Sequence, residues 1–170
     1  MNVGNIYLIG MMGSGKTTVG KLLADKLQTA FIDLDEMIET NTQKTVRDIF
    51  EQNGELHFRK LESETLVNVN QKNSVVACGG GIVLKKSNRS FMRLTGKVVF
   101  LNSSIDELVN RLKTAPDRPL LKGGQVKEKM NNIWIERKKY YKETAHITIN
   151  VDGQTPKQIT ELIIKSGYVL

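Results

Sequence analysis

The chain has 170 residues, 39% apolar and 25% charged, which are the proportions of an ordinary globular protein with enough length for one domain and a real core. A lone cysteine, Cys78, excludes an internal disulfide or a cysteine metal cluster, and two histidines argue against a protein-only zinc site. The net charge of +7 comes with only 6% aromatics and no basic run interleaved with them, which argues against a nucleic-acid partner and for cationic clamps on small anions.

Taken in order, the first residues run directly into an apolar segment, Ile6-Tyr7-Leu8-Ile9, that reads as a buried strand. No apolar stretch of membrane-spanning length follows anywhere and no secretion signal precedes it, so the expected location is the cytoplasm, with no membrane partner. Gly10 to Thr17 fits the phosphate-loop pattern G-x-x-x-x-G-K-S/T, and a helical pattern with Val19, Leu22, Leu23 and Leu27 on one face follows it. Backbone N–H groups of such a loop cradle phosphates, helped by the positive end of the helix dipole. Lys16 would then reach the β- and γ-phosphates and Thr17 would hold Mg²⁺.

A second short strand starts at Ala30-Phe31-Ile32 and ends in Asp33-Leu34-Asp35, both carboxylates being expected on extended backbone. Thr45 to Asp48 looks like a capping box that opens a helix, Gly54 breaks it, and a second helix runs from Glu55 to about Gln71. Strands are predicted at Ser74–Cys78, ending in Gly79-Gly80-Gly81, and at Lys97–Leu101. No bounded element is assigned between them. Ser103 or Ser104 caps a helix to about Lys113, and the Pro- and Gly-rich stretch 115–124 reads as a mobile loop. A helix to about Ala145, a strand at His146–Ile149 and a last helix with Pro156 at its first position complete the chain. Alternating strands and helices argue for an α/β fold with a parallel sheet covered on both faces, and ligands of such sheets bind beyond the carboxyl ends of the strands.

Three polar clusters fall at those ends: the phosphate loop, Asp33 with Asp35, and the triple glycine. Phosphoryl transfer needs carboxylates for two jobs, ordering the Mg²⁺ shell and orienting the attacking hydroxyl. Asp35 read alone also suits a helix cap, and the glycines suit a bare turn. Arg59 and Arg137, each alone, suit a solvated helix charge. His57 and His146 read as structural or surface residues.

Taken together, these motifs resemble the shikimate kinases over nearly the whole chain. The resemblance rests on the phosphate loop, D-x-D at Asp33 to Asp35, G-E-x-x-F-R-x-x-E at Gly54 to Glu62 and G-G-G at Gly79 to Gly81. Further along come D-R-P-L-L at Asp117 to Leu121 and R-x-x-x-Y-x-E-x-A at Arg137 to Ala145. It implies transfer of the γ-phosphoryl group of ATP to the 3-hydroxyl of shikimate, giving shikimate 3-phosphate and ADP on the route to chorismate and the aromatic amino acids. The implied fold is a three-layer, five-stranded parallel sheet of the P-loop kinase type, in a single domain with a substrate-binding helical region at about 36–70 and a mobile lid at about 115–124. The implied cofactor is one Mg²⁺ per subunit, held by Thr17 and, through water, by Asp33. Asp35 would contact the hydroxyls and act as base, while Arg59, Arg137, Gly80 and Gly81 bind the substrate. The nucleotide would be held by Gly13, Ser14, Gly15, Lys16, Thr17 and Thr18, with Arg111, Gln154 and Pro156 on the adenine side, and lid Arg118 would face the phosphates. A carboxylate suits two guanidinium forks better than two ammonium groups.

One loop departs from the pattern: Asp152-Gly153-Gln154-Thr155 stands where relatives often carry an Arg, which points to adenine contacts made through the backbone. Rival readings are a gluconate or nucleoside monophosphate kinase of the same architecture, a nucleotide-binding regulator without turnover, and a basic nucleic-acid binder. A monomer is expected, since no heptad seam or extra apolar stripe is evident.

Overall fold

β1 (Asn5–Ile9) is buried along its whole length because both of its faces are covered. In the computed structural model, which describes residues 4–69, 72–112 and 125–167, it is the central strand of a five-stranded sheet. The others are β2 (Phe31–Asp33), β3 (Val75–Ala77), β4 (Gly96–Asn102) and β5 (Ile147–Asn150). The spatial order is β2-β3-β1-β4-β5 and every pairing is parallel. Successive side chains of a strand alternate faces. Ile6 and Leu8 thus meet Val19 and Leu23 of α1 (Lys16–Leu27) and Ile159 and Ile163 of α7 (Pro156–Lys165). Tyr7 and Ile9 point the other way, into a cluster with Leu66, Met92, Leu108, Met130 and Tyr141. Those residues come from α3 (Val46–Val67), α4 (Lys86–Thr95), α5 (Ile105–Leu112) and α6 (Val126–Thr144). The result is the expected three-layer α/β sandwich.

Local signals account for most boundaries. Thr45 and Asp48 form the capping box at the start of α3, and Thr155 and Gln158 form another at the start of α7, behind Pro156 at the first helical position. Gly54 breaks α3 at φ 79° and ψ 170°, backbone angles that only glycine adopts readily, so the helix before it and the helix after it diverge there. Ser104 caps α5, its hydroxyl accepting from the Glu107 N–H at 3.3 Å.

Two features differ from the sequence reading. The extended segment stops at Asp33, and α2 (Leu34–Thr42) begins at once. The Asp33 carboxylate accepts the Asp35 N–H at 3.0 Å and so caps this helix, leaving Asp35 in its first turn rather than on a strand. Between β3 and β4 lie a 3₁₀ turn, Ile82–Leu84, and α4. The periodicity of α4 is hidden because buried Asn88 occupies a core position one turn before Met92, while Leu94 is exposed. The predicted lid at 115–124 lies outside the described residues.

Candidate functional site

The carboxyl ends of β1, β2 and β3 open into a cavity of about 510 Å³. The loop after β1 lines it with Gly13, Ser14, Gly15 and Lys16, and the first turn of α1 adds Thr17 and Thr18. No side chain caps the N-terminus of α1, so its N–H groups are left for an anion. Lys16 Nζ donates to the carbonyls of Gly10 and Met11, both at 2.9 Å, which folds the ammonium back over the loop it belongs to. Thr17 Oγ1 donates to Asp33 Oδ2 at 2.8 Å. That hydroxyl and carboxylate offer only oxygen, the donor type that suits Mg²⁺ held mainly by phosphate and water. Among the described residues no group of three His, Cys, Asp or Glu gathers into a protein cage for a metal. At the far end Arg111, Gln154 and Pro156 close the cavity. Arg111 is held by Glu107 at 2.8 Å, and Asp152 ties the loop carrying Gln154 to the start of α5 by accepting from the Ser103 hydroxyl and the Ser104 N–H.

A smaller cavity of about 80 Å³ adjoins the first, and Met12, Asp35, Gly79 and Gly80 line both. Its other walls are Arg59 and Glu62 of α3, Arg137 of α6, Gly81, and the rings of Phe50 and Phe58. The three charged side chains are strongly buried. Exposure of the side chain is 1% for Glu62, 4% for Arg137 and 18% for Arg59. Arg59 Nη1 donates to Glu62 Oε2 and Nη2 to Glu55 Oε1, each at 2.9 Å, and its guanidinium lies 5.3 Å from the Phe58 ring centre. Burial pushes the Glu62 carboxyl above its ordinary range, though Arg59 pulls it back. Burial also pulls the Arg59 guanidinium down, but Glu62 and Glu55 more than offset this and hold it charged. Among the described residues, Glu62 Oε1 and Arg137 Nε have no hydrogen-bond partner. Such groups are costly to bury. Arg137 Nε is a cationic donor, and the chemistry it suits is an incoming carboxylate.

The glycines after β3 have a reason beyond ligand approach. A Cβ at Gly81 would occupy the space of the Arg59 guanidinium, and one at Gly79 the space of the Glu62 carboxylate. Behind them Tyr141 donates its hydroxyl to the Gly80 carbonyl, and its burial, against only partial help from Arg137, pushes that phenol up to about 12. Its ring stacks on Phe100 at 5.0 Å.

Every sequence-predicted site residue within the described range therefore lies on one of the two joined cavities. Lys16, Thr17, Thr18, Asp33, Arg111, Gln154 and Pro156 line the larger, Arg59, Gly81 and Arg137 the smaller, and Asp35 and Gly80 both. Arg118 lies outside the described residues. Sequence reasoning gave no role to Glu62 or Tyr141. The available signal was spacing: Glu62 follows Arg59 by three residues and Tyr141 follows Arg137 by four, so each pair shares a helix face. His146 sits where α6 meets the sheet and accepts the Val98 N–H on Nδ1 at 2.9 Å, a structural role as expected.

The sequence profile of the shikimate kinase family matches residues 12–167. A shikimate kinase of Sulfurihydrogenibium sp. is 47% identical over 161 residues, covering 94% of this chain and 95% of its own. Among solved structures, the shikimate kinase of Acinetobacter baumannii in complex with shikimate superposes with a TM-score of 0.93 at 36% identity, covering 96% of this chain and 92% of that one. A deoxyadenosine kinase of M. mycoides, at 16% identity and a TM-score of 0.61 over 95% of this chain and 97% of its own, shares the fold alone.

Proposed function

Since the chain belongs to the shikimate kinase family, we propose that its larger cavity holds ATP, its smaller one shikimate, and that the transferred phosphoryl group passes between them beside Asp35. The reaction is phosphoryl transfer from ATP to the shikimate 3-hydroxyl, giving shikimate 3-phosphate and ADP. The observation that carries the division of the site is the shared wall. Asp35 borders both cavities, and Arg59, Arg137 and Gly81 line only the smaller one, away from Lys16 and Thr17.

In this reading Asp35 accepts a hydrogen bond from the acceptor hydroxyl, aims its oxygen at the γ-phosphorus and takes its proton as the new P–O bond forms. Arg59 and Arg137 grip the substrate carboxylate, Arg137 through Nε, a donor without a hydrogen-bond partner among the described residues. Lys16 leaves its loop carbonyls for the β- and γ-phosphate oxygens, where with Arg118 it balances the charge that spreads over them in transfer. Thr17 and Asp33 are the groups that would hold a Mg²⁺ ion, which would supply positive charge against that of the phosphates. Phe50 and Phe58 keep water away from the carboxylate, which strengthens its pairing with the guanidinium groups. All these groups come from one chain, so a monomer suffices.

The test is Arg137→Ala in a coupled assay of ADP release. Loss of charge-assisted hydrogen bonds worth about 1.5–3 kcal/mol each should raise KM for shikimate roughly 100-fold and leave KM for ATP unchanged. An unchanged KM for shikimate would remove Arg137 from the clamp. Gluconate or nucleoside monophosphates should release no ADP above background.

A further inference from the structure

The smaller cavity joins distant parts of the chain: beside Arg59 on α3 stand the glycine turn after β3 and Arg137 on α6. Their separation must hold to a fraction of an ångström for both to reach one small acid. One tie lies at the floor of the site, from the Tyr141 hydroxyl to the Gly80 carbonyl. A second lies outside it, on α4. Arg89 Nη1 donates to the Val83 carbonyl at 2.7 Å and to the Leu84 carbonyl at 3.1 Å, the last two residues of the 3₁₀ turn that begins beside Gly81. The Cζ atom of the same guanidinium lies over the ring of Tyr140, 4.4 Å from its centre, and Tyr140 is the residue next to Tyr141 on α6. Buried Asn88 fixes the same turn, donating to the Ile82 carbonyl at 3.2 Å.

We infer that Arg89 is a positioning residue for shikimate: it sets the distance between the glycine turn and Arg137 by hydrogen-bonding the 3₁₀ turn beside the first and lying over a ring of α6, the helix that carries the second. A guanidinium is suited to this because its donors lie in the plane and its charge is delocalised across it. Lysine offers a point charge without that plane. Arg89 itself lines neither cavity, so its effect passes through the elements it joins. The phosphate loop is carried by β1 and α1, whereas the side-chain bonds of Arg89 go to the 3₁₀ turn, so nucleotide binding should change far less. The inference rests on the reading above, in which Arg137 grips the substrate.

The experiment is steady-state kinetics with both substrates on Arg89→Ala, Arg89→Lys, Tyr140→Leu and Tyr140→Phe, with Arg137→Ala in parallel. Arg89→Ala and Tyr140→Leu should each raise KM for shikimate about tenfold, the scale of a slightly misplaced clamp, with kcat and KM for ATP within about twofold. Arg89→Lys should fall between Arg89→Ala and the unaltered chain, and Tyr140→Phe, which keeps the ring, should match the unaltered chain. Adding Arg89→Ala to Arg137→Ala should raise KM no further, since the spacing no longer matters once the guanidinium is gone. Equal losses for both substrates, an unchanged KM for shikimate, or additive effects in the double variant would each overturn the inference. Should Arg89→Ala fail to fold, Tyr140→Leu and Arg89→Lys decide by the same criterion. If Arg137→Ala itself leaves KM for shikimate unchanged, the reading of the clamp fails first. If it raises KM and the Arg89 variants do not, only the positioning role fails.

Discussion

The two ends of the site are built on opposite principles. The phosphate end relies on backbone: a glycine-rich loop, the uncapped start of α1, and side chains such as Thr17 and Thr18 that remain exposed. Its one ammonium, on Lys16, rests on loop carbonyls until something better arrives. The acid end relies on buried charge, with Arg59, Glu62 and Arg137 packed beneath two phenylalanines and polar atoms left over. A polyphosphate brings enough charge to organise many weak donors, whereas a single carboxylate does not. On the proposed reading the protein sets out the cations for the carboxylate in advance and carries the cost of burying them in its own stability.

The largest test falls on the seam between the ends. Asp35→Asn keeps the volume and the start of α2, whose cap is Asp33, but removes the proton acceptor. A general base contributes about 10²–10⁴-fold, so kcat should fall roughly 10³-fold while the unfolding midpoint hardly moves. Turnover within tenfold of the unaltered chain would leave the two ends in place and take the base away from Asp35.

A test of the contrast itself is Glu62→Ala. It breaks the buried Arg59–Glu62 pair, leaving Arg59 with Glu55 as its carboxylate partner and the Arg137 charge buried beside it, and breaking a buried pair costs about 3–5 kcal/mol. Urea unfolding should show that loss, and saturating shikimate should recover more stability in the variant than in the unaltered chain, because the substrate carboxylate replaces the missing charge. Thr17→Ala at the phosphate end should cost under about 1 kcal/mol, since it removes one exposed hydrogen bond. Equal losses from the two variants would erase the distinction between the ends.

The same distinction governs how much could be read from sequence. Backbone sites announce themselves, because glycines and a lysine must stand at fixed intervals, so Gly10 to Thr17 was legible with its strand and helix. The start signals of two helices were equally local, the capping box at Thr45 and Pro156 at the first position of the last helix. Buried charge is not local. Arg59 and Arg137 look like ordinary helix charges until the fold buries both, with Glu62, on the walls of one cavity, and only their place in a larger motif set singled them out. The triple glycine was read as a ligand contact, and its role in leaving space for the Arg59 and Glu62 side chains was not legible. The error at Asp35 was one of competing local signals: the strand was read through it, whereas the Asp33 carboxylate starts the helix two residues earlier. α4 escaped because it carries an asparagine where the core pattern wants an apolar residue, and that asparagine is used to hold a turn.

The smallest effect separates the site from its surroundings. Both ends carry carboxylates, so a change of stability between pH 5 and 7.5 invites assignment to Glu62 or Asp35. His146 offers a source elsewhere. Its Nδ1 must stay unprotonated to accept the Val98 N–H, and burial, then Arg93 of α4 and Lys97 of β4, hold its imidazole below the ordinary histidine value. With the folded value lowered, the unfolded chain takes up the proton first as pH falls through about 6.5. Stability therefore drops from that point down to the folded value and is flat above it. Glu62, whose folded value is raised, works in the opposite sense, favouring the native state at lower pH. It is common to both chains when His146→Gln is compared with the unaltered protein. Melting temperatures of the two should run parallel above pH 7 and diverge below 6.5, the unaltered chain falling more steeply while glutamine still accepts from Val98. Parallel curves throughout would take the acid sensitivity away from His146.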